Sequence, residues 1–185
     1  MKTSVKGLDL IKRYEGLRLV AYKPIPSEIY YTIGYGHYGK DVKANMTITK
    51  AEADQLLKKD MAAIEVIVSD LLPGISQNAF DALVSFTYNC GSENLKKLVA
   101  GRSMKEISEK ILLYNKAGGK VLAGLTRRRK EESELIKMDF SHDDNVKKLQ
   151  HLMNELGADP KLVEDGIIGN KSKNAFLQLF GRVVE

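Results

Sequence analysis

The chain opens with apolar residues three apart, Val5, Leu8, Ile11 and Tyr14, the spacing of one helix face. Ser4 stands where an N-cap belongs and Gly16 where a left-handed C-terminal residue belongs, so a helix is expected between them. From Leu19 to Tyr38 the pattern changes to β-branched and aromatic runs, LVAY and IYYTIGY. They are parted by KPIPSE, which Pro24 and Pro26 keep out of a helix, and this predicts a hairpin or small antiparallel sheet. Thr49 and Glu52 then form a capping-box pair ahead of a stripe of Ala53, Leu56, Leu57, Met61, Ile64, Val68 and Leu71, which LPG ends. Ser76 restarts a helix through Phe80, Leu83, Val84 and Tyr88 to about NCG. Ser103 with Glu106 opens another, carrying Ile107, Ile111, Leu112 and Tyr114. AGGKVLAGL reads as a glycine-rich connection, and Thr126 as the cap of a basic helix holding Leu135 and Ile136.

A second unit is expected from Asp143. Val146, Leu149, Leu152, Met153 and Leu156 form its first stripe, closed by Gly157. After the loop ADPKLVEDGIIG, Asn170 is read as the cap of a last helix with Ala175, Phe176, Leu179 and Phe180. The fold class is thus α+β: a small antiparallel sheet lobe plus a larger helical lobe over residues 1–140, then a small helical unit over 143–185 that buries little surface by itself.

Composition narrows the classes. Hydrophobic residues at 43% and charged residues at 29% are ordinary for a globular chain. No apolar run approaches the roughly 18 residues of a spanning helix, and the charged N-terminus MKTSVKGLDLIKRYEG lacks a signal-peptide core. The expectation is no signal peptide, no stable membrane insertion and initial residence in the cytoplasm. Cys90 is the single cysteine, which allows no internal disulfide. Residues 143–185 hold 6 basic and 7 acidic side chains, so the overall +5 becomes +6 over the residues before them. Such a body favours an anionic partner, whether nucleic acid, membrane surface or wall polymer.

For chemistry, His37, His142 and His151 come without an HExxH or cysteine cluster, so no metal and no cofactor is expected. Cys90 in TYNCGS has no evident base partner and reads as a small, partly buried helix-end residue. Carboxylates remain. Glu15 sits at the negative end of a helix, flanked by Tyr14, Leu17 and Leu19. Both the dipole and lost hydration would favour its protonated form, which a general acid needs. On position alone, a glutamate paired with a nearby Arg at a solvated helix end fits better.

The motif EGLRLVAY followed by YYTIGYGH closely resembles the phage T4-type lysozymes, a glycoside hydrolase family of endolysins. AFDALVSFTYNCGS and AGGKVLAGLTRRRKEE extend the resemblance over roughly residues 5 to 140. It implies a two-lobed fold with a cleft, and cleavage of the β-1,4 bond between N-acetylmuramic acid and N-acetylglucosamine in peptidoglycan. Peptidoglycan strands would be the partner of a monomer, with no nucleic acid, and release from the host cytoplasm would need a separate membrane-lesion protein. Glu15 matches the family's general acid and Thr32 its strand threonine. Arg127 matches a basic residue facing the acid, although the run Arg127 to Lys130 also fits a solvated helix face. Tyr35 and His37, in the same motif, join Arg127 as candidate substrate-binding residues. The family's second carboxylate or Cys stands nine residues after the acid, where this chain has Pro24. Glu28 is the nearest substitute and Asp41 a second.

The stretch DGIIG with VKKLQHLM resembles part of small helical peptidoglycan-binding domains, though Asp-Gly also simply makes a turn. Two further readings stay open. A lytic transglycosylase makes the same cut with one carboxylate and leaves an anhydro end. The other is a non-catalytic protein, either a wall-targeting module or a nucleic-acid binder using the basic helix.

Overall fold

The computed structural model describes residues 1–181, with side chains for all of them but 139–144, so His142 and Asp143 lie outside the described side chains. The chain divides into two compact units, Met1–Ile136 and Lys137–Glu185.

In the first unit, α1 (Val5–Glu15) is capped by Ser4, whose hydroxyl oxygen accepts from the Gly7 N–H at 3.2 Å, and is closed by Gly16 at φ 70°. Its buried face is Gly7, Leu10 and Ile11; Val5 is 76% exposed, so the expected stripe is rotated. The reason is close approach to α3 (Gln77–Cys90): a Cβ on Gly7 would fall 2.6 Å from Asp81 Cγ. Buried Asp81 accepts from the Ser4 N–H and from its hydroxyl, fixing that approach.

The strands β1 (Arg18–Tyr22), β2 (Tyr31–Gly34) and β3 (His37–Gly39) form an antiparallel sheet in that order. Thr32 lies between Tyr22 on one side and Tyr38 on the other, and the β1–β2 register slips between Arg18 and Tyr22.

Helix α2 (Lys50–Leu71) begins with the capping box of Thr49 and Glu52 made in both directions. Ala53, Leu57, Met61 and Val68 are buried, while Leu71 at its end is exposed. Helix α3 is buried without interruption from Ala79 to Thr87 and forms the centre of this core. A short helix, α4 (Ser92–Val99), was not legible: it has eight residues and starts from Gly91 with no side-chain cap. The Ser103–Glu106 box opens α5 (Met104–Lys110), and a 3-10 turn follows at Ile111–Leu113. The glycine-rich connection is a hairpin of β4 (Lys116–Ala117) and β5 (Lys120–Val121).

Helix α6 (Ala123–Glu155) corrects two expectations. Thr126 does not cap it but lies inside, its hydroxyl donating to the Leu122 carbonyl at 3.1 Å. Nor is there a break between residues 140 and 143, where two helices were read.

The second unit packs Met153, Ala158, Leu162 and Ala175 together, with Leu149, Leu179 and Phe180 against them. Leu152 and Leu156, placed on the expected stripe, are exposed. Helix α7 (Asn170–Phe180) includes Asn170 as its first residue, so Asn170 is not the cap; Gly169 precedes it without a side-chain bond. Gln150, only 2% exposed, ties the DGIIG loop to α6. Its amide nitrogen donates to Asp165 and to the Ile167 carbonyl, and its amide oxygen accepts from the Gly166 N–H at 2.9 Å.

Candidate active site

Because α1 ends where β1 begins, Glu15 is carried to the edge of the sheet at a point where Gly16 turns the chain. An open cleft of about 430 Å³ lies there, lined by Glu15, Gly36, Tyr38, Asp60, Tyr88 and Asn89 among others. The turn between β2 and β3 reaches it through Gly36, at φ 100°. A Cβ added there would sit 3.9 Å from Glu15 Oε2 and 3.6 Å from the Tyr88 hydroxyl. Glycine therefore allows both the turn and the approach of the backbone to the carboxylate.

The other oxygen of Glu15 is committed. Arg128 Nη1 donates to Glu15 Oε1 at 2.6 Å, and the Glu15 side chain keeps 21% of its exposure. The helix end and the apolar neighbours of Glu15 gave no sign of this guanidinium, which comes from α6. Arg128 is 2% exposed. Its Nε donates to Glu132 Oε1 at 3.2 Å, its Nη2 donates to the Ser85 carbonyl at 3.1 Å, and its guanidinium carbon lies 5.5 Å from the Tyr14 ring centre. Glu132 has no exposure and also accepts from the Ser85 hydroxyl at 2.7 Å and from Arg129 Nη2 at 3.0 Å. Arg129 Nε stands 2.8 Å from Glu132 Oε2 but off hydrogen-bond geometry, a contact of charge only. Burial pushes the Glu132 carboxyl up to about 6 against the pull of Arg129 and Arg128.

Arg127 does not face Glu15. It is exposed, and the residue one position on does the work expected of it. The signal was available: Arg128, Glu132, Leu135 and Ile136 fall at i, i+4, i+7 and i+8, one face of a helix. Within the run Arg127 to Lys130, composition does not separate the four, and only the face shared with Glu132, Leu135 and Ile136 picks out Arg128.

Tyr35, in the turn between β2 and β3, and His37, in β3, are buried and do not line the cleft; nor do Thr32 and Glu28. The Tyr35 ring lies 5.5 Å from Lys12 Nζ, which pairs with Asp54; its carbonyl accepts from the Tyr88 hydroxyl at 2.9 Å. Burial raises the Tyr88 phenol, which keeps it a donor. His37 is held by Asp60 at 2.8 Å through Nδ1 and by Asp41 at 3.1 Å through Nε2, so both ring nitrogens are engaged. Asp41 is held below the usual carboxylate range, chiefly by that hydrogen bond. Asp60, Tyr88 and Asn89 reach the cleft from α2 and α3; their places depend on how distant helices pack, and no local motif marks them.

Thr32 is 6% exposed, and its hydroxyl makes no hydrogen bond to the described residues. Glu28, half-buried in the turn between β1 and β2, has its Oε2 enclosed without a hydrogen-bond partner. Among the described residues no group of three or more His, Cys, Asp or Glu could hold a metal ion, and no helix is long and apolar enough to cross a membrane.

The phage lysozyme family profile matches residues 12–132. The endolysin of Bacillus phage B103 is 46% identical over 143 residues, covering 74% of this chain and 54% of the relative. The chain thus spans about half the length of that relative. The endolysin of Salmonella phage P22 is 36% identical, covering 72% of this chain and 97% of the relative. Among solved structures, the muramidase domain of SpmX from Asticaccaulis excentricus superposes with a TM-score of 0.64 at 36% identity, over 73% of this chain and 97% of that domain.

Proposed function

The chain belongs to the phage lysozyme family, and on that premise we propose that it is an endolysin-type muramidase. It hydrolyses the β-1,4 bond between N-acetylmuramic acid and N-acetylglucosamine in bacterial peptidoglycan, in phage lysis of a host. The single observation that carries this reading is Glu15 at the end of α1, with Oε2 beside Gly36 in an open cleft and Oε1 on buried Arg128.

In this mechanism Glu15 protonates the glycosidic oxygen as positive charge develops on the departing sugar ring. A second carboxylate activates water from the other side. We assign Glu28 to that role as the carboxylate nearest in sequence to the family's position; its Oε2 carries no hydrogen bond but must open from its enclosed place to meet the water, whereas both oxygens of Asp60 face His37 Nδ1. The Thr32 hydroxyl orients the water. Arg128 orients Glu15, while Tyr38, Tyr88 and Asn89 supply the cleft's polar and aromatic wall against the glycan. The +6 charge before residue 143 draws the protein to the anionic wall.

The test is digestion of purified peptidoglycan. Glu15→Gln should lose about 100-fold or more in rate, the scale of a positioned acid. Glu28→Gln should fall further than Asp60→Asn. Fragments should end in reducing muramic acid; anhydro ends would replace hydrolysis by transglycosylation. Wild-type activity in Glu15→Gln would overturn the reading.

The second unit is proposed to bind wall polymer, with the loop pinned by Gln150 forming part of the surface. Gln150→Ala should then reduce co-sedimentation with purified walls while leaving cleavage of soluble glycan chains unchanged. Equal sedimentation would remove this role.

A further inference from the structure

Resting on the reading of Glu15 as the general acid, we propose that Glu132, balanced by Arg129, is a positioning residue that sets how firmly Arg128 holds Glu15. Among the described residues neither Glu132 nor Arg129 lines the cleft, and both act through the Arg128 guanidinium, which touches the acid.

The geometry is a relay. Arg128 spends Nη1 on Glu15, Nε on Glu132 and Nη2 on Ser85. At 2% exposure it cannot swing out with the substrate, and its rear edge is pinned by Glu132 Oε1. That one oxygen accepts from Ser85, Arg128 and Arg129 together. A fully enclosed glutamate is costly to keep, and an apolar residue would fill the space without cost in charge. Here a second cation accompanies it. Arg129 has no exposure, lies 5.0 Å from the Phe86 ring centre, and donates through Nη1 to Cys90 Sγ at 2.8 Å. Glu15 and Glu132 thus face Arg128 and Arg129, and the formal charges cancel.

The consequence concerns the proton on Glu15. Without Glu132, the positive charges of Arg128 and Arg129 would both act on Glu15 and favour the ionised carboxylate, which cannot donate. Glu132 offsets one of them. The other groups facing this cluster are Tyr14 from α1, Asp60 from α2, Ser85 and Tyr88 from α3, and Glu131 from α6, whose Oε1 accepts from the Tyr14 hydroxyl at 2.6 Å. Of these, Ser85 alone among the described residues joins Glu132 in bonding Arg128 from behind.

The experiment is the pH dependence of cleavage of soluble glycan chains by wild type, Glu132→Gln and the double variant Arg129→Met/Glu132→Gln, with unfolding midpoints recorded alongside. In Glu132→Gln one negative charge is gone, and the alkaline limb of the profile should move to lower pH by about one unit. The double variant restores the balance, so its limb should return most of the way to wild type. A purely structural role predicts otherwise: a lower midpoint and maximal rate, an unmoved limb, and a double variant worse than the single. That pattern would overturn the proposal. Should Glu132→Gln not fold, Ser85→Ala carries the same test. It removes a donor to Glu132 and should shift the limb the same way by less; an unmoved limb there would likewise overturn the proposal. Glu15→Gln is the control. If it is inactive while the limbs stay fixed, the relay fails and the acid stands; if it is active, the acid itself fails.

Discussion

Two charged clusters border the cleft, and they differ in access to water. On the helical side, Arg128, Arg129 and Glu132 are 2% exposed or less, and only Glu15 reaches solvent. On the sheet side, His37 is buried, but its partners Asp60 and Asp41 keep 25% and 52% of their side-chain exposure. The hydrogen-bond distances are similar, 2.6–3.2 Å in one and 2.8–3.1 Å in the other. What differs is the cost of losing a partner. In the enclosed cluster the residue left behind cannot turn to water; in the open one it can.

The sharpest way to break this contrast is Arg128→Met. It strands Glu132 beside a single cation and releases Glu15, and should cost about 3–5 kcal/mol in urea unfolding as well as activity. A cost below that of any sheet-side variant would abolish the distinction. Asp60→Asn comes next. It weakens a charge-assisted bond to a buried histidine but leaves Asp41 in place, and about 1.5–3 kcal/mol is expected. Asp41→Asn, on the exposed side, should cost under about 1 kcal/mol.

Dependence on pH sharpens the comparison, because the two clusters pull in opposite directions. Glu132 is raised to about 6 from an ordinary 4.5, so between these values the folded protein holds a proton that the unfolded chain has released. Its contribution is present below about 4.5 and lost as pH rises through about 6, a change of roughly 2 kcal/mol. Asp41 is lowered from 3.8, so its smaller contribution is present above that value and lost as pH falls through the folded one. Urea unfolding from pH 3 to 8 should show Glu132→Gln without the fall between pH 4.5 and 6, and Asp41→Asn with less loss at the acid end. Slopes unchanged in both variants would contradict the assignments.

Much of the frame was legible because its signals are local. Ser4, Thr49, Ser76 and Ser103 cap helices through bonds to residues three further on, and Gly16 ends α1 with its own φ. Such features need only neighbouring residues, so sequence alone determined where most helices start, that a small sheet follows α1, and that Glu15 sits at a helix end. The phase of a helix face is less local. Val5, Leu152 and Leu156 looked like core residues and are exposed, because which apolar residues are covered depends on what packs over them.

Only the tertiary structure decided what surrounds Glu15. Arg128 lies 113 positions away in the chain, and Glu132 meets Ser85 across 47. Arg127 and Arg128 are indistinguishable by composition; about 100° of helix rotation sends one to solvent and the other to the acid. Tyr35 and His37, in the motif that holds Thr32, pack against helices, where Lys12 of α1 and Asp60 of α2 receive them. A charge can be read from the chain, but its partner and its distance from water are set by folding, and these govern what the charge can do.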